Sequence, residues 1–144
     1  MDPKPNSNDS YATVLSFLKE SRKNGKISPK DWDLFRSRLS SLSLDASFAR
    51  ALDIWTMDNL EFHKPESIRT RVLHELEEQV FTPEVYSEYL EALRFGMISP
   101  VQGEQILDDL MDTELFKIQP ERMQNSISRI WKKNIHNYAR VKPN

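Results

Sequence analysis

Three prolines follow a serine or threonine where a helix would begin, and these helix-start signals constrain the fold most strongly. Ser28-Pro29, Thr82-Pro83 and Ser99-Pro100 each precede apolar residues at helical spacing. A hydroxyl group at the N-cap and a proline at the first helical position both favour a helix start. The chain has only three glycines and lacks the alternating, turn-rich segments of a sandwich or barrel. The sequence therefore predicts an all-α protein.

Apolar residues recur every three or four positions along most of the chain, which predicts about seven short helices. The predicted helices begin near Tyr11, Ser28, Asp45, Ile68, Thr82, Ser99 and Pro120. A chain of 144 residues is the size of one domain. We therefore expect an orthogonal helical bundle over residues 10–137, a flexible lead-in over residues 1–9 and a basic polar tail over residues 138–144.

The sequence lacks the residue combinations that common enzymes use. It has no cysteine, which excludes a disulfide, a thiolate nucleophile and a cysteine-ligated zinc site. His74 shares a helical side with Glu77 and Glu78, but this pattern is not that of a di-iron protein. Serine-hydrolase and phosphate-loop motifs are also missing from the sequence. We predict no catalytic residues, no metal ion and no cofactor, while a pocket built from Asp and Glu remains an alternative.

The net charge of −2 is the sum of two positive segments and one negative segment. Residues 1–60 carry +1, residues 61–116 carry −9 and residues 117–144 carry +6. Opposite charges of this kind either complement each other within the fold or attract different partners.

Two groups of residues are candidate contact sites. The basic group, which would meet a nucleic acid or an acidic protein, is Arg129, Lys132, Lys133, Arg140 and Lys142, with the aromatic residues Trp131 and Tyr138. Basic residues that alternate with aromatic ones are typical of surfaces that neutralise phosphates and stack on nucleobases. Trp131 also fits a position at the edge of the core. The acidic group, which would meet a basic partner, is Glu104, Asp108, Asp109 and Asp112.

The segment from Leu90 to Ser99 superficially resembles a DNA-binding helix-turn-helix. Its would-be recognition helix carries the acidic group, whose carboxylates DNA phosphates would repel. A plain helical hairpin is the favoured interpretation.

The second half of the chain also carries a series of apolar and turn residues in a familiar order. The series is Ile68-Arg69, Leu76-Glu77, Leu90-Glu91-Ala92-Leu93, Gly96-Met97-Ile98, Pro100, Glu104, Ile106-Leu107-Asp108 and Leu110-Met111. It resembles the Smg family of small bacterial acidic proteins, and the first half is compatible with that family at Val14-Leu15, Phe17-Leu18, Ala51-Leu52 and Trp55. The chain departs from the family in its basic C-terminal end and in the stretch from Val72 to Val80. The resemblance implies a cytoplasmic, all-helical bacterial protein of uncharacterised function, with no catalytic residues to transfer.

The sequence contains neither an apolar run long enough to cross a membrane nor a signal-peptide core, so we expect a cytoplasmic protein that does not bind membranes. The function it favours is that of a non-enzymatic helical adaptor or regulator that binds another protein. The alternative is a nucleic-acid-associated factor that uses the basic, aromatic C-terminal end.

Overall fold

The computed structural model describes residues 9–64, 73, 75–113 and 117–141, except for the side chains of Leu76, Thr113 and residues 139–141. The described residues form seven α-helices and no β-strand. The helices are α1 (Asp9–Asn24), α2 (Pro29–Ser40), α3 (Ala46–Phe62), α4 (Glu75–Val80), α5 (Pro83–Arg94), α6 (Pro100–Thr113) and α7 (Pro120–Val141). The prediction of an all-α fold is confirmed. The predicted start near Ile68 lies outside the described residues.

The predicted N-caps act through hydrogen bonds to the first turns of their helices. Ser28 and Asp31 form a reciprocal capping box at α2, in which each side chain accepts a bond from the other residue's backbone N–H. The side chains of Asp45 and Thr82 accept bonds from backbone N–H groups at the starts of α3 and α5. At Gly96, α5 ends in a Schellman motif, with Met97 N donating to the carbonyl oxygen of Ala92 over 2.9 Å.

The chain divides into two compact units. Unit 1 comprises residues 1–64 and 132–144, and unit 2 comprises residues 65–131. Helix α7 supplies its first twelve residues to unit 2 and its last ten to unit 1. The two units carry opposite charge, since unit 1 has fourteen basic and nine acidic residues whereas unit 2 has six basic and thirteen acidic ones.

Unit 1 buries one apolar stripe from each of its helices. The buried apolar residues are Tyr11, Val14, Leu18, Phe35, Leu39, Phe48, Ala51, Leu52, Trp55 and Ile135. Tyr138 of α7 donates a hydrogen bond to Asp58 Oδ2 of α3, and the His136 ring lies 5.2 Å from the Phe48 ring. Helix α7 continues to Val141, and α1 begins at Asp9.

Unit 2 is built around the apolar sides of α5, α6 and the first half of α7. Its buried apolar residues include Phe81, Val85, Tyr86, Tyr89, Ala92, Met97, Ile106, Leu107, Leu110, Met123, Ile127 and Trp131. Gly103 of α6 lies so close to Tyr89 of α5 that an added Cβ would be 2.7 Å from Tyr89 Oη. Ile118 N, in the segment before α7, donates a hydrogen bond to the carbonyl oxygen of Val80 over 3.0 Å.

Candidate interaction surfaces

The acidic face of α6, which we define as Glu104, Asp108, Asp109 and Asp112, is exposed along its whole length. The opposite side of the helix buries Ile106, Leu107 and Leu110, as the apolar spacing predicts. Helix α6 contains no lysine or arginine. Val101, one turn before Glu104, is 70% exposed and adds an apolar contact at the N-terminal end of this face.

The acidic face of α6 is electrostatically unfavourable for the helix that carries it. Asp108 and Asp112 are four residues apart, a spacing at which like charges destabilise a helix by about 0.2–0.5 kcal/mol. Asp112 also lies in the last turn, where the helix dipole disfavours an anion by roughly 0.3–1 kcal/mol. A cationic group bound beside these two carboxylates would offset both costs.

The basic group at the C-terminal end is only partly accessible. Arg129 and Lys133 are exposed, and Lys132 is half-buried. The Arg140 side chain and all of Lys142 lie outside the described residues.

The two aromatic residues of this group do not form a stacking platform. Trp131 is 0% exposed, so its indole presents no free face for a base to stack on in this fold. The physical reason is helical phase, because the buried residues of α7 follow Met123 at intervals of four through Ile127, Trp131 and Ile135. Tyr138 is half-buried, and its hydroxyl donates a hydrogen bond to Asp58.

Unit 1 contains a groove between α1 and α2 that the sequence interpretation missed. Its volume is about 210 Å³, and its lining includes Phe17, Leu34 and Phe35. Leu34 is 53% exposed, although it is a large apolar residue. The carboxylate of Asp31, also in the lining, already caps α2.

An aromatic cluster joins the walls of the α1–α2 groove. The rings of Phe17 and Phe35 are stacked with centroids 4.2 Å apart, and the Trp32 ring lies 5.1 Å from that of Phe17. Contacts of this geometry stabilise a helix pair by about 0.5–1.5 kcal/mol beyond the burial of area. We therefore assign the cluster to the packing of α1 against α2 in unit 1.

A second groove of about 440 Å³ lies between α2 and α3 and is lined by Arg36, Arg50 and Asp53, among others. Arg36 Nε lies 3.0 Å from Asp53 Oδ1, and the hydrogen bond and charge of Asp53 raise the pKa of Arg36. The guanidinium also lies 5.2 Å from the Trp32 ring centroid. An exposed pair of this kind contributes only about 0–1 kcal/mol, so it orders the groove more than it stabilises the unit.

Within the described part of the chain, no three histidine, aspartate or glutamate side chains converge as metal ligands. His74, considered above with Glu77 and Glu78, lies outside it. In the same part of the chain, every helix is too short or too polar to cross a membrane.

Comparison with known family models, curated proteins and solved structures finds no match for this chain. The comparisons thus do not identify the Smg family, and the resemblance to it stays a prediction.

Proposed function

We propose that this protein is a non-enzymatic adaptor or regulator that binds a lysine- or arginine-rich segment of another protein through the acidic face of α6. The observation that carries the proposal is the exposure of Asp108 and Asp112 on a helix without a basic residue. Both carboxylates lie where they lower the stability of α6, and a basic partner would turn that cost into binding energy.

The composition of unit 2 supports the same partner chemistry. With thirteen acidic and six basic residues, the unit attracts cationic segments and speeds their encounter at low salt. Val101 offers an apolar contact beside the carboxylates. A partner attracted by charge alone would make no use of this contact. We therefore expect an amphipathic basic segment to bind more tightly than a uniformly basic one.

The test uses a fluorescent synthetic peptide that alternates lysine or arginine with leucine, and measures its anisotropy as protein is added. The double variant Asp108→Lys/Asp112→Lys should weaken binding at least tenfold, equivalent to about 1.4 kcal/mol. The matched control is Glu75→Lys/Glu78→Lys, which reverses two exposed carboxylates of α4 in the same unit. It should change affinity less than about twofold at physiological salt, because these carboxylates are outside the proposed site and act only through a screened attraction. Equal losses in both variants would show non-specific attraction and contradict the proposal.

The second candidate is a nucleic-acid-associated factor, favoured by the exposure of Arg129 in unit 2 and Lys133 in unit 1. With Trp131 buried, such binding would rely on phosphates, and its affinity would fall steeply with salt. A labelled single-stranded oligonucleotide tests it. If this function is correct, Arg129→Ala and Lys133→Ala each lower the salt slope by about 0.7, whereas Lys23→Ala, an exposed control on α1, leaves it unchanged.

The proposal includes a cytoplasmic location in a bacterium, an expectation that rests on the resemblance to the Smg family. Fractionation of the source cells, followed by detection of the native protein, tests that expectation.

A further inference from the structure

Glu88 joins α5 to α7 within unit 2 through only one of its two carboxylate oxygens. Its Oε1 accepts a hydrogen bond from Gln124 Nε2 of α7 over 2.8 Å, and both residues are half-buried. Its Oε2 has an accessible area below 1 Å² and no hydrogen-bond donor among the described residues. A carboxylate oxygen that is buried away from water and accepts no hydrogen bond raises the free energy of the ionised form.

The charged groups around Glu88 add to this cost. Glu84 and Glu91 lie one turn before and one turn after it on α5, and both repel a negative charge at Glu88. Helix α7 faces the carboxyl group with the neutral amide of Gln124. Helix α6 approaches α5 at Gly103 and Tyr89 instead, while its own carboxylates are exposed.

Burial is the largest cause that raises the pKa of Glu88, and the charges of Glu84 and Glu91 raise it further. The hydrogen bond from Gln124 acts in the opposite direction and lowers this pKa, but the net shift is upward. The folded protein therefore holds the Glu88 proton more tightly than the unfolded chain does.

We infer that Glu88 makes the α5–α7 contact of unit 2 sensitive to pH, with a firm contact while the carboxyl group is protonated and a weaker one once it is ionised. The loss of stability caused by the buried charge is absent below the ordinary glutamate pKa of about 4.3. It grows as the pH rises toward the raised pKa of Glu88 and is complete above that pKa. The first turns of α7, which bury Met123 and Ile127, should then open more readily at neutral than at mildly acidic pH.

Hydrogen exchange of the α7 backbone, corrected for the intrinsic effect of pH, tests the inference. In the parent protein, protection of residues 123–131 should be several-fold higher below the ordinary glutamate pKa of about 4.3 than at neutral pH. Glu88→Gln replaces the carboxylate by a neutral amide of the same shape and should give the higher protection at both pH values. The matched control Glu78→Gln removes an exposed carboxylate from α4 of the same unit and should behave like the parent.

A second measurement needs no variant that might fail to fold. The side-chain amide signal of Gln124 in the NMR spectrum should move with pH, with a midpoint above the ordinary glutamate value. A midpoint at or below that value, or the parental pH dependence of protection in Glu88→Gln, would overturn the inference.

Discussion

Arg22 of α1 donates a hydrogen bond from Nη2 to the carbonyl oxygen of Asn59, in the last turn of α3, over 2.8 Å. The same nitrogen also donates to the carbonyl oxygen of His63, the C-cap residue of that helix. The carbonyl groups at the C-terminus of a helix carry its partial negative charge, and that of Asn59 also accepts a hydrogen bond from His63 N over 2.9 Å. Arg22 therefore caps α3 from a neighbouring helix and fixes the end of α1 against it.

Replacing Arg22 with methionine keeps much of the side-chain volume and removes both hydrogen bonds. We expect the free energy of unfolding to fall by about 1–3 kcal/mol, because half-buried carbonyl oxygens lose a charged donor. Urea denaturation followed by circular dichroism measures the change. The exposed neighbour Lys23→Met should change stability by no more than about 0.5 kcal/mol. Equal effects at the two positions would refute the capping role.

The close approach of α5 and α6 predicts the outcome of a second substitution, Gly103→Ala. Its Cβ would lie 2.7 Å from Tyr89 Oη, and Tyr89 is buried and stacked on Tyr86. Overpacking of this kind costs about 1–3 kcal/mol, whereas alanine gains about 1 kcal/mol over glycine in a helix. We expect a net loss of stability in thermal or urea denaturation.

The double variant Gly103→Ala/Tyr89→Phe separates these two effects. Because phenylalanine lacks the clashing hydroxyl oxygen, the cost of Gly103→Ala should shrink in the Tyr89→Phe background. A coupling of about 1 kcal/mol between the two sites would support the close contact. Additive effects would show that the helices readily move apart.

The acidic face of α6 predicts a gain in stability from one of the residues proposed to bind the partner. Asp112→Lys removes an anion from the negative end of the helix dipole and places a cation four residues after Asp108. The expected increase in the free energy of unfolding is about 0.5–1 kcal/mol at low salt. Added salt should reduce the gain, and a loss of stability at low salt would contradict our account of α6.

Local sequence signals predict most of the helix starts and the exposure of the acidic face. Ser28 caps α2 together with Asp31, and Thr82 caps α5, because capping depends on residues within one turn. The apolar residues of α6 point inward, which leaves Asp108 and Asp112 on the outside as the helical period requires.

Features that depend on residues far apart in the chain cannot be read from these local signals. After Ile127, both Ile130 and Trp131 fit a helical stripe, but Trp131 is buried whereas Ile130 is half-buried. Tyr138, in the segment whose polar composition predicts a tail, donates a hydrogen bond to Asp58, eighty residues earlier. The hydrogen bond from Arg22 to Asn59 joins residues that are thirty-seven positions apart, and no periodic pattern in the sequence predicts it.

The most direct test of the proposed function is an NMR titration of the isotope-labelled protein with the amphipathic basic peptide. We predict that the largest shifts fall on the backbone amides of Val101, Glu104, Asp108, Asp109 and Asp112, and that the Asp108→Lys/Asp112→Lys variant loses them. Shifts confined to the α1–α2 groove of unit 1, or the same shifts in that variant, would contradict a partner site on α6.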